Sequence, residues 1–355
     1  MKTFRIVLII FCLQSAGLCQ NSDINYIRAL TDLDMMLNDV IPLSFKQAVL
    51  RTEKAFLGDQ LNEADLESEI DFLISISKSL SNQINLQNYE GKDKKTVTKY
   101  AAIFKLITDT LNIEVNNTLY QKPPYTYDFH DVFGEANWQN MFVSKLLSTK
   151  KGNCHSLPYL YKILCEGNDI PCHFALAPNH IYIKHFAVKG GWYNTELTSA
   201  SFPIDAWLMA SGYVTLQAVQ NGVYLDTLSE KQSIALSLID LAQGFARKYP
   251  KNDGEFIVRC CDIALHHLPY NINATLLKAE TLLSQLQTLQ KIHKFLNLNE
   301  VAMLTEGKSK WDEMNRLYFS LFKFGYKQMP EQMYLDWINS LNIEKTKYMN
   351  KEIPR

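Results

Sequence analysis

Three residues in the middle of the chain have the types and surroundings that nucleophilic acyl chemistry needs. They are Cys154 in Lys151-Gly152-Asn153-Cys154-His155-Ser156, His180 in Asn179-His180-Ile181, and Glu196 in Trp192-Tyr193-Asn194-Thr195-Glu196-Leu197-Thr198. Cys154 follows a Gly-Asn break at the first turn of an expected helix, where unpaired amides and the positive dipole end favour a thiolate over a thiol. A thiolate is the stronger nucleophile, and it needs a neighbouring base to carry its proton. His180, on a facing strand, is the candidate base. Alternation along strands puts Asn194 and Glu196 on one face of the next strand, so Glu196 can accept from the second imidazole nitrogen and hold the ring's tautomer. Asn194 is the fallback for that role. The Cys154 amide is one expected oxyanion donor, with Trp138 and Gln139 as candidates for a second.

Neighbouring residues invite plainer readings. Adjacent helix positions diverge by roughly 100°, so His155 points away from the Cys154 thiol. His173, His180 and His185 with Cys154 or Cys172 lack any CxxC or HxxxH pairing, and no metal site is expected. His266 and His267 read as surface residues of a tail helix, and NEADLESE as a solvated helix face. Asn116 and Asn273 head triplets that are glycosylation acceptors in a eukaryotic secretory route. The aromatic stretch PPYTYDFHDVF either lines a substrate groove beside the site or packs on the core.

The elements that must position these residues follow from hydrophobic period. From Asp23 to about Thr110 apolar residues recur at three- and four-residue steps, which predicts successive amphipathic helices. QKPPYTYDFHD is a loop because paired prolines exclude regular structure. WQNMFVSKLLST is expected to be helical, and CHSLPYLYKILCEGN forms a second helix with Pro158 near its start. PCHFALA, HIYIKHF and GWYNTEL, broken at Pro178-Asn179 and Gly190-Gly191, predict an antiparallel meander. Helices followed by such strands make an α+β fold. Beyond Ser229 the pattern is helical to the end, with Pro250 and Pro269 closing helices and alanines at 235, 242, 264, 274 and 279 spaced for close contacts.

On these residues the chain is identified as resembling the transglutaminase-like superfamily. GNCHSLPYLYKILCEGNDIPCHF resembles that family's nucleophile helix, which opens on a Gly-x-Cys step and ends before an Ile-Pro strand. The His180 strand and WYNTELT resemble its histidine strand and its acid-bearing strand. The likeness covers roughly Trp138 to Thr198 and is greatest to the bacterial subgroup with leading helices and tetratricopeptide-like helices after the core. It implies a papain-like core carrying the Cys154, His180 and Glu196 triad. The acid is Glu196 where Asp is commoner in the family, and Ile181 follows the histidine where an aromatic is usual. The tail resembles a degenerate tetratricopeptide array. The division implied is a leader at 1–19, a transglutaminase-like domain with a helical layer at 20–228, and a helical tail at 229–355.

Whole-chain totals bound the remaining classes. Its 355 residues suffice for two ordinary domains, and 47% hydrophobic with 21% charged residues exclude a disordered or fibrous chain. Thirty-six basic residues against thirty-seven acidic ones leave no charge excess to favour nucleic acid or an anionic membrane. Lys2 and Arg5 precede the apolar run Ile6–Leu13, followed by Ser15, Ala16 and Gly17, which is the pattern of a secretory signal cleaved after Cys19. Export to the periplasm or outside is therefore expected. Lipid anchoring through Cys19 is disfavoured because Leu18 stands where a small residue is needed. No later run is long enough to span a bilayer. Of seven cysteines, five remain after the leader, an odd number that leaves at least one thiol free, although Cys165 and Cys172 are able to pair across a turn.

The expected function is an exported cysteine hydrolase or acyltransferase acting on amide bonds of a peptide or protein through a thioester at Cys154, with no cofactor. Peptidase, amidase and transglutaminase chemistry all stay open. The alternative is a non-catalytic transglutaminase-like scaffold that binds a peptide or protein partner on its helical tail.

Overall fold

The computed structural model describes residues 24–350, Asn88 and Asn116 excepted. The leader with Cys12 and Cys19, and Asn116 of the first acceptor triplet, lie outside the described residues.

Four helices come first: α1 (24–37), α2 (Phe45–Leu57), α3 (Glu63–Gln83) and α4 (Lys94–Thr108). Each start has a local cause where a side chain caps it. Ser44 accepts from Gln47 N at α2, and Asn62 accepts from Asp65 N at α3. A hairpin of β1 (Leu111–Val115) and β2 (Thr118–Lys122) follows. The proline loop then delivers β3 (Thr126–Tyr127), which pairs in parallel with β4 (Lys151–Gly152). WQNMFVSKLLST forms two pieces, a 3-10 turn at Trp138–Met141 and α5 (Val143–Thr149), because Phe142 is extended between them. Beyond β4 comes α6 (Ser156–Gly167), and then the antiparallel meander of β5 (His173–Ala177), β6 (His180–Ala187) and β7 (Gly191–Thr195). Two short helices, α7 (Asp205–Met209) and α8 (Leu216–Gln220), lead to the tail.

The tail comprises α9 (Glu230–Lys248), α10 (Glu255–His267), α11 (Ile272–His293), α12 (Thr305–Phe324), α13 (Glu331–Ile343) and the single turn α14 (Lys345–Tyr348). Ser229 and Gln232 close a capping box on α9, and Asn271 caps α11. From α9 to α12 each helix packs on the next. The fold is thus α+β and mostly helical, with small sheets. No described helix is long and apolar enough to cross a membrane.

The core does not break at position 229. Ile234, Leu238 and Leu241 of α9 and Cys260 and Cys261 of α10 pack with α1–α4 and with α6, whose Leu157, Leu160 and Leu164 are fully buried. A second core joins Cys154, Tyr182 and Trp207 to Tyr334, Trp337, Ile338 and Leu341 of α13. The tail therefore closes back on the middle of the chain. Cys154, Cys165, Cys172, Cys260 and Cys261 are all buried thiols, with Cys165 and Cys172 in contact.

Candidate active site

The Gly-Asn break before Cys154 has a steric and a polar cause. Gly152 is buried where a Cβ would come 2.5 Å from Ser156 Oγ and 2.7 Å from Leu146 Cδ1. Asn153 is fully buried, and its Oδ1 accepts from the amides of His155 and Ser156, both at 3.0 Å. Its carbonyl accepts from Leu157 N at 3.2 Å, so the first turn of α6 is capped by Asn153. Cys154 sits within that cap. Among the described residues its amide has no acceptor, in contrast to the two amides that follow.

His180 opens β6 directly after the turn at Asn179, whose φ of 57° is left-handed, a conformation asparagine tolerates. The β6–β7 register pairs Lys184 with Asn194 and Ile183 with Thr195. Continued by one step, it sets Glu196 opposite Tyr182, so the Glu196 side chain reaches His180 along the diagonal. The longer reach of glutamate suits that diagonal. His180 Nε2 donates to Glu196 Oε2 at 2.6 Å, and the other carboxylate oxygen accepts from Thr198 N at 2.9 Å and Thr198 Oγ1 at 2.7 Å. Because a carboxylate only accepts, Nε2 carries a proton; Nδ1 lies 3.2 Å from Tyr334 Oη, and the imidazole interacts with the neighbouring Cys154 thiol.

Two tyrosines complete the surroundings of the sulfur. Tyr334 Oη lies 3.2 Å from His180 Nδ1 and 3.1 Å from Tyr127 Oη, and both hydroxyls contact the thiol. The carbonyl of Asn179 is 3.5 Å from Cys154 Sγ. Trp207, Tyr182, Tyr334 and Trp337 surround the imidazole, with Trp337 stacked on Trp207 at 4.5 Å.

Electrostatics follow from this packing. Burial opposes ionisation of Cys154, but the His180 hydrogen bond and charge outweigh it and hold the thiol below its ordinary value. Burial likewise works against protonated His180, yet the Glu196 carboxylate raises it above the imidazole range. Glu196 is lowered because the imidazolium and the Thr198 donors overcome its desolvation. The three shifts have a common cause, each group's charge favouring the charged form of its neighbour.

Cys154, His180 and Glu196 are therefore brought together. Asn194 is not at the imidazole: its Nδ2 donates to Pro203 O and Asp205 Oδ1. Trp138 is turned to α9, with Arg247 4.0 Å above its ring, and the Gln139 amide donates to Asn137 Oδ1 at 3.1 Å. His155 faces away, between Met141 O and Asp240 Oδ1, both at 2.9 Å. His173 contacts Leu228 O, and His185 contacts Tyr161 Oη. Among the described residues no group of three or more His, Cys, Asp or Glu side chains is placed to hold a metal ion.

Tyr127 belongs to the aromatic stretch read as either groove wall or core filler, and it reaches the thiol because β3 lies beside β4 two residues before Cys154. Tyr334 was signalled by Tyr334, Trp337, Ile338 and Leu341, a single helical stripe, but nothing local says what the stripe covers. Comparisons of the chain with protein-family models, with curated proteins and with solved structures return no match.

Proposed function

We propose that the protein is a cysteine hydrolase or acyltransferase of the transglutaminase-like, papain-like kind, acting on amide bonds of a peptide or protein through Cys154. The observation that carries this reading is the grouping of thiol, imidazole and carboxylate, with Glu196 at 2.6 Å from His180 Nε2 and the thiol interacting with the same imidazole. In the first step the Cys154 thiolate attacks the amide carbonyl carbon and forms a C–S bond while the π pair moves to oxygen. The Cys154 amide is one donor to that oxyanion, and Tyr127 Oη beside the sulfur is the candidate second donor. Collapse breaks the C–N bond, and the His180 imidazolium gives its proton to the leaving amine. Water or a second amine then attacks the thioester and loses its proton to His180, and cleavage of the C–S bond restores the thiolate. Glu196 holds the ring throughout.

A second reading, a non-catalytic scaffold of the same ancestry, draws support from the 5% exposure of Cys154. Titration separates the two. The thiolate absorbance of wild type minus Cys154→Ala is followed from acid to alkaline pH. A lowered acid pKa means that the thiolate, and the stability it contributes, is present above the ordinary thiol value and is lost only as pH falls through the lowered one. The difference signal is thus expected to persist below the ordinary thiol value. A signal that appears only around the ordinary value removes the nucleophile reading and leaves the scaffold.

A further inference from the structure

The His180 side chain has 0% exposure, that of Glu196 has 2%, and Cys154 keeps only 5%, so the set described above is almost sealed from solvent in this state. The residues that shut it off come from far along the chain. Tyr334 is fully buried against the sulfur and the imidazole, and the Trp337 ring stands edge-on to His180 at 5.3 Å. Ile338 and Leu341 continue the same stripe inward.

Besides the Tyr334 hydroxyl, which bonds Tyr127 Oη and His180 Nδ1, the helix is held by few polar contacts. Trp337 Nε1 donates to Trp207 O at 3.1 Å, and Trp207 Nε1 donates to Ser340 Oγ at 3.2 Å. Before the helix, Met329 O accepts from Asn179 Nδ2 at 3.0 Å; after it, Tyr348 O accepts from Ile204 N at 2.8 Å. Asn179 is also the residue whose carbonyl touches Cys154 Sγ, so one turn connects the strap to the nucleophile. The helix follows α12 through a link at 325–330 that begins at Gly325, left-handed at φ 79°.

Charged groups kept together under aromatic rings are costly to desolvate, a cost roughly offset by their mutual attraction. Such a set gains nothing for the fold that apolar residues would not supply. It gains a purpose if the cover moves.

We infer that α13 is a displaceable cap lying in the groove through which the acyl donor reaches Cys154. This rests on Cys154 being the nucleophile, and its occupant is this chain's own residues 331–343. The surface it covers is aromatic, with Tyr127, Tyr182 and Trp207 packed against the helix, and its displacement would let a peptide segment bearing large apolar side chains take the place of Tyr334 and Trp337.

The test is residue-resolved alkylation of the full chain with iodoacetamide, read by peptide mass spectrometry at all five thiols. In wild type Cys154 should react as slowly as the four core cysteines. In Trp337→Ala it should react at least tenfold faster while the other four keep their rates, and Trp337→Phe should give a smaller, equally selective rise. If all five thiols quicken in Trp337→Ala, that variant has lost its fold and Trp337→Phe decides: a selective rise there supports the cap, and its absence overturns it. Fast Cys154 labelling in wild type, or no change in either variant, also overturns it. Selective labelling with the pH dependence of an ordinary thiol leaves the cap standing and removes the nucleophile.

Discussion

Glu196 accepts from His180 Nε2 at 2.6 Å although continuation of the sheet register places it opposite Tyr182 rather than His180. The pair is made diagonally, and it is the extra methylene of glutamate that spans the step. Its other oxygen is fixed by both Thr198 donors, so the carboxylate cannot swing to follow a moving ring.

Glu196→Gln keeps the shape but removes the charge that raises His180. Amide-cleaving or acyl-transfer activity is expected to fall by roughly 10²–10⁴-fold, and the thiolate titration of Cys154 should move up toward the ordinary thiol value. Glu196→Asp keeps the charge but falls short of the diagonal, and it should lose most of the same activity. Full activity in Glu196→Asp would show that the diagonal reach is unimportant. The measurement is a pH–rate profile of each variant.

Tyr127→Phe removes one hydroxyl from the sulfur while its ring keeps packing on Phe129. If that hydroxyl donates to the developing oxyanion, kcat should drop by about 10²-fold with KM little changed. An equal change in KM alone would assign Tyr127 to substrate binding.

Gly152→Ala tests why a glycine stands two residues before Cys154. The added methyl meets Ser156 Oγ and Leu146 Cδ1 well inside contact distance, in a turn whose amides are already fixed by Asn153. A loss of about 1–3 kcal/mol is expected, with the cap of α6 displaced. Chemical denaturation measures the first effect, and the thiolate titration of Cys154 measures the second. An unchanged midpoint and titration would mean that the turn relaxes freely.

Glu53 offers a pH test away from the thiol. It is buried and accepts from Val143 N at 2.6 Å and Ser144 N at 3.0 Å at the start of α5, the helix that precedes the Gly-Asn turn. Burial raises its carboxyl from 4.5 to about 7, against the pull of those amides. A raised acid is protonated in the fold before it is in the unfolded chain, so its contribution is fully present below the unfolded value and fades as pH climbs through about 7. That contribution is on the order of 3 kcal/mol. Relative to Glu53→Gln, wild type should therefore lose stability between mildly acid and mildly alkaline pH. A difference that stays flat, or that grows with pH, contradicts the assignment. Urea denaturation at several pH values reads it.

Local signals in the chain already specified the elements that carry the three residues. Hydrophobic period marked the helices, and the Pro178-Asn179 and Gly190-Gly191 breaks marked the meander, whose register brings β6 and β7 side by side. Gly152-Asn153 marked a helix start because a missing Cβ and a capping amide act within a few residues. The coming together of Cys154, His180 and Glu196 needs only one helix and two adjacent strands, and such short-range constraints leave traces in sequence. Trp138, an expected oxyanion candidate, instead packs its ring under Arg247 of α9, and the helix expected over Trp138–Thr149 is divided by the extended Phe142.

What sequence by itself determined was which three residues come together and the strands and turn that present them. Whether that set meets solvent was decided only in three dimensions. Tyr334 stands 180 residues after Cys154, beyond several helices, and an apolar stripe states that a face is buried without naming the surface it meets. Burial is a property of the summed packing of distant elements, so no local pattern encodes that α13 returns to cover the thiol.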